Sequence, residues 1–148
     1  MSLNSQEVTQ IDITPVTLIR DRIIQDLSDR LSSIATTQIY DIYLYNADEM
    51  PLIVIEDGED TIDSINFESI KHELEVTLNL FSVGNSDGFK QNSKLISDTL
   101  EVLKEFKSNF IKKEFIGIDR LSVEISGDNF IKAILKFKFT YITSVFQC

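Results

Sequence analysis

One histidine, one cysteine and a dense stretch of carboxylates hold most of the side-chain chemistry that this chain could offer. His72 stands between Lys71 and Glu73 at the start of a strand-like run. A catalytic histidine needs a nucleophile beside it, and the neighbouring sequence supplies none, so His72 reads as a surface residue. Cys148 is the only thiol, which leaves no intrachain disulfide, and it reads as incidental. A single histidine and a single cysteine are too few for the common zinc sites.

Glu73 and Glu75 share one face of an alternating run and could work as an acid and base pair. The polar face of a half-buried strand explains the same spacing without chemistry. The segment Glu56, Asp57, Gly58, Glu59, Asp60 and onward to Asp63 suggests calcium. An EF-hand loop, however, needs glycine sixth and glutamate twelfth, whereas Gly58 comes second here when Asp57 is counted first. An exposed, solvated loop is expected. No glycine-rich phosphate loop, nucleophile elbow or helical His-Glu pair of the metalloprotease type occurs. The reading is therefore of a chain that is not an enzyme and takes no cofactor and no metal.

The formal net charge of -10 opposes a nucleic-acid or anionic-membrane partner, because binding to phosphates is driven by Lys and Arg. No apolar run reaches the roughly 20 residues that span a bilayer, and Met1 to Gln10 lacks the features of a secretory signal. The expectation is a protein made and used in the cytosol. Tyr40, Tyr43 and Tyr45 crowd one short segment and could stack bases. Without a basic groove beside them, they suit a sheet edge or a subunit contact better.

The 148 residues suit one domain with a real core, preceded by a loose arm over residues 1–13. Thr14 and Pro15 resemble a helix cap with proline in the first turn. Apolar residues at three- and four-residue spacing from Val16 to Ile34 predict an amphipathic helix. Strands are predicted at Ile39 to Tyr45 and Leu52 to Ile55, as a hairpin or a closely spaced pair. Lys71 to Val83 alternates strictly, with Leu74, Val76, Leu78 and Leu80 on one face. After a turn over Gly84 to Gly88, a second helix is predicted from Phe89 to Phe110, with Lys104, Lys107, Lys112 and Lys113 near its end. Two strands close the chain, Gly117 to Ile125 and Phe130 to Phe146, joined at Ser126 to Asn129. The fold class is α+β: two amphipathic helices on one face of a mixed, mainly antiparallel sheet of about five strands, with the other face polar.

This order of elements resembles the tail terminator and tail completion proteins of long-tailed bacteriophages or prophages. The residues that carry the resemblance are the helix Pro15 to Ile34, the strand opening Pro51-Leu52-Ile53-Val54-Ile55 and the alternating strand His72 to Phe81. To these are added the helix with Leu95, Leu100 and Leu103, and the closing strand Ile131 to Tyr141. The resemblance rests on order and spacing over most of the chain. It implies a ring, usually a hexamer, that binds the tail tube protein, stops tube growth and offers a face to the head-tail connector. Such a protein works in the cytoplasm of the bacterial host during assembly and then in the virion tail. No catalytic residue comes with the resemblance.

Six copies would bring about sixty negative charges around a channel, through which DNA would pass without being bound. Interaction residues are expected in the loops and on the last strand: Asp48, Glu49, Glu56, Asp57, Glu59, Asp60, Asn85, Asp87, Lys132, Lys136 and Lys138. Three alternatives stay open: a neck, connector or baseplate component of similar build, a stand-alone small-molecule binding domain with a concave apolar pocket, and a carboxylate-dependent enzyme.

Overall fold

The computed structural model describes residues 18–39, 50–125 and 127–144. Helix α1 spans Ile19–Leu31, and its apolar period buries Ile23, Ile24, Leu27 and Leu31. Strand β1 is Thr36–Ile39, β2 is Leu52–Ser64 and β3 is Ser69–Val83. Helix α2 runs from Ser86 to Glu105, followed by β4 at Lys112–Ile125 and β5 at Asp128–Ser144. The five strands of the described residues form one mixed sheet in the order β1-β2-β3-β5-β4, so among these residues β1 and β4 are its edges. The chain is α+β, as its patterning predicts.

Strand register assigns the faces. Ile53, Ile55, Leu74, Val76, Leu78, Leu80, Leu135 and Phe139 join residues of both helices in one buried cluster. We call their side of the sheet the core face. The strict alternation of β3 places its four predicted apolar residues here, all at 0% exposure. The second face was expected to be polar throughout. Near the start of β2 it instead carries a smaller apolar cluster, Leu52, Val54, Phe81 and Phe130, with Met50, Val123 and Ile125 packed against it. The run Leu52 to Ile55 has no polar position, so both faces of the sheet are apolar there.

Several expected boundaries differ. β1 pairs with β2 in parallel, Thr36 opposite Leu52 and Ile39 opposite Ile55, an adjacent pair and not a hairpin, while the predicted strand Ile39 to Tyr45 lies outside the described residues beyond Ile39. The acidic segment is not a loop. It continues β2, paired with β3 as far as Ser64 opposite Ile70, with the register shifting between Asp57 and Asp60. A bulge of this kind absorbs the residues about Gly58 while the ladder goes on.

The turn expected at Gly84 to Gly88 is in part the first turn of α2. Asn85 caps it by accepting from the Gly88 N-H at 2.7 Å. A Cβ on Gly88 would lie 1.7 Å from the Val83 carbonyl oxygen, so only glycine lets the helix leave the strand this tightly. α2 ends at Glu105, because β4 begins earlier than its alternation suggests and takes Lys112 and Lys113 into the sheet. The expected arm 1–13, the Thr14-Pro15 cap, the strand beyond Ile39 with Tyr40, Tyr43 and Tyr45, and Cys148 lie outside the described residues.

Candidate functional site

The densest polar constellation among the described residues sits on the core face, where β2, β3 and β5 run on toward the β2–β3 turn. Register places His72 opposite Tyr141 on β5 and opposite Ile62 on β2. The bulge in β2 brings Asp60 onto the same face. His72 is not a surface residue: it is 2% exposed, and its ring stacks on Tyr141 with centroids 4.4 Å apart and planes 7° from parallel.

A buried imidazole needs partners for both nitrogens. Nδ1 lies 3.2 Å from the Asp60 carboxylate, and Nε2 lies 2.8 Å from the Thr143 hydroxyl. In the tautomer whose proton is on Nδ1, that proton is directed at the carboxylate and Nε2 accepts from Thr143. The Tyr141 hydroxyl donates a short hydrogen bond to the other Asp60 oxygen. Arg20, in the first turn of α1, lies 3.6 Å from Asp60, pairs with Asp57 at 2.9 Å and donates to the Gly58 carbonyl. Four elements, α1, β2, β3 and β5, thus meet at one carboxylate.

The order hydroxyl, imidazole, carboxylate is the order that nucleophilic catalysis uses. Here Thr143 is 3% and His72 is 2% exposed, so a substrate carbonyl does not reach the hydroxyl. The constellation works as a clamp that fixes the outer half of β2 to β3, β5 and α1. Asp57 and Asp60, expected to be solvated, are both held by Arg20. Sequence reasoning missed Arg20, Tyr141 and Thr143, since Asp60 and Tyr141 are 81 positions apart and His72 and Thr143 are 71 apart. No local spacing announces such contacts.

The other predicted interaction residues do not form one site. Glu56 accepts from Asn79 at 2.6 Å on the second face, and Glu59 is exposed at the bulge. Asn85 and Asp87 lie at the start of α2, next to the end of β3 opposite the clamp. Lys132, Lys136 and Lys138 line the second face of β5; Lys132 sits 5.7 Å from the centre of the Phe81 ring, and Lys138 is opposite Glu75. Asp48 and Glu49 lie outside the described residues.

A second feature lies where α2 ends beside β4. Leu100, Leu103, Phe115 and Phe137 line an open apolar cleft of about 240 Å³, with Lys104, Lys113 and Glu114 at its rim. Lys113 was expected to be a cation of the α2 terminus. It belongs to β4 but serves that terminus through space, donating to the carbonyls of Leu103, Lys104 and Phe106 at 2.6–2.9 Å. Burial lowers its pKa from the ordinary lysine value, with Glu105 opposing the shift and Lys107 adding to it.

Among the described residues no three His, Cys, Asp or Glu side chains converge as metal ligands, and no helix is long and apolar enough to cross a membrane. No protein-family model matches the chain. No curated protein matches it significantly.

Proposed function

We propose that this chain is a non-enzymatic structural protein whose copies assemble into a ring, capping a phage tail tube and forming the surface that joins tail to head. The observation that carries this reading is β4. Among the described residues it is a 14-residue edge strand, and natural edges of that length are usually blunted, because an open row of backbone groups invites pairing with another chain. Here Phe115, Ile116, Ile118 and Leu121 stand 42–50% exposed along it, with Ile111 at 69% just before it. Phe115 and Ile118 lie on one face of the strand and Leu121 on the other, and apolar side chains exposed on both sides of such an edge suit a contact between subunits.

The order of elements, helix, three strands, helix and two strands, also agrees with the resemblance to tail terminators. In that reading the partners are other copies, the tail tube protein and the head-tail connector, while DNA passes without specific binding. The ring forms in the cytoplasm of the host cell and ends in the virion tail. A neck, connector or baseplate position accounts for the same features. Among the described residues the small-molecule alternative is less well served, since the cleft of about 240 Å³ is smaller than the roughly 300–1,000 Å³ of most ligand pockets.

Light scattering over a wide concentration range, with and without tail tube protein, tests the reading. A closed oligomer of about six copies is expected, together with tubes that stop growing when the chain is added. A monomer under every condition, with no effect on tube growth, would sink it.

A further inference from the structure

We propose that copies of this chain join head to tail, the β2–β3 turn of one copy placing Phe67 in the apolar cleft between α2 and β4 of the next. This rests on the self-assembly reading above and names the contact that would produce it.

The turn is built as a knob. Phe67 is 89% exposed, the most exposed large apolar side chain among the described residues, and Ile62 and Ile65 beside it are 59% and 52% exposed. Its backbone is held locally. The Asn66 side-chain oxygen accepts from the N-H groups of Glu68 and Ser69 at 2.8 and 2.9 Å, and the Ile65 N-H donates to the Ser69 carbonyl at 3.1 Å. An Asx turn of this kind presents the ring on an ordered tip, so less freedom is lost on docking.

The cleft is a matching hole. A cavity of about 150 Å³ accepts a benzene ring, and this one offers about 240 Å³. Its aromatic floor is Phe115 against Phe137, with centroids 5.2 Å apart at 37°, and a third ring adds edge and face contacts to such a pair. Charge favours the same partner. Around the cleft Lys104, Lys107 and Lys113 outnumber Glu105 and Glu114, while at the tip Asp63 and Glu68 outnumber Lys71. In a chain of net charge -10, contacts between copies need such a basic patch to meet an acidic one.

A tip does not reach its own cleft. Ser69, at the turn, pairs with Ser144, seven positions along β5 from Phe137, a distance of about 23 Å along a continuous ladder. Tip and cleft are different surfaces, so each copy offers one of each, and the contact propagates to a ring or a filament instead of closing as a two-fold dimer.

The test uses two variants of the full chain, Phe67→Glu without the knob and Phe115→Glu with a charged cleft, each checked for folding by circular dichroism and thermal melting. In sedimentation velocity the wild type assembles, and each variant alone remains monomeric, its association weakened by about 30-fold or more. Mixed in equal amounts, they form a dimer and nothing larger, because one intact contact remains between them. Should Phe115→Glu not fold, Lys104→Glu takes its place, with assembly restored by Glu68→Lys. If Phe67→Glu assembles as the wild type does, or the mixture gives no dimer, this contact is wrong while self-assembly stands. If the wild type itself stays monomeric both alone and with tail tube protein, and tube growth is unaffected, both readings fall together.

Discussion

The two halves of β2 lie in one strand and pair with one neighbour, yet different forces hold them. Leu52 to Ile55 are buried on both faces, two side chains in the main core and two in the smaller cluster behind the sheet. Glu56 to Ser64 are largely exposed, and their ladder to β3 leans on the clamp at Asp60. Apolar burial is spread over many weak contacts, so the loss of one side chain is felt by the whole cluster. A polar clamp concentrates its contribution in one carboxylate, because buried donors are costly only when their shared acceptor is lost.

The largest effect is expected in the apolar half. Leu78→Ala removes a side chain packed at 0% exposure opposite Ile55 and Leu135, and denaturant titration should show a loss of about 2–5 kcal/mol with the whole sheet unfolding together.

Next comes Asp60→Ala, which leaves Tyr141, His72 and Arg20 without their common acceptor. The cost should be about 3 kcal/mol, and it should be local. Hydrogen exchange should speed up at residues 61–64 and 70–72 while residues 52–55 keep their protection. Equal changes in both stretches would erase the distinction between the halves.

The smallest is His72→Phe. The substitution keeps an aromatic ring to stack on Tyr141 but removes the bonds to Asp60 and Thr143, for a loss of about 1–2 kcal/mol. A loss as large as that from Asp60→Ala would make the imidazole, and not the carboxylate, the centre of the clamp.

Much of the fold was legible in advance, and the reason is local. The period of α1, the strict alternation of β3 and the one-sided pattern of β5 each record a boundary between core and solvent within one element. The acidic segment was misread for a related reason. Its composition is that of a loop, and only pairing with β3 makes it a strand, since a ladder supplied from outside overrides weak local preference. His72 failed in the same way: its neighbours Lys71 and Glu73 are polar, but strand alternation turns its ring to the core face while theirs turn away.

The interaction residues expected from composition share no single place. The apolar cleft and the exposed Phe67 were not foreseen, because exposure is a property of what fails to cover a side chain. Element types, their order and the inward face of β3 and β5 follow from residue period alone, because burial repeats with the geometry of each backbone. The parallel β1, the turn of Asp60 and His72 into one clamp and the opening between α2 and β4 depend on contacts between elements far apart in the chain. No short window contains both partners of such a contact, and their meeting is settled only when the whole sheet is assembled.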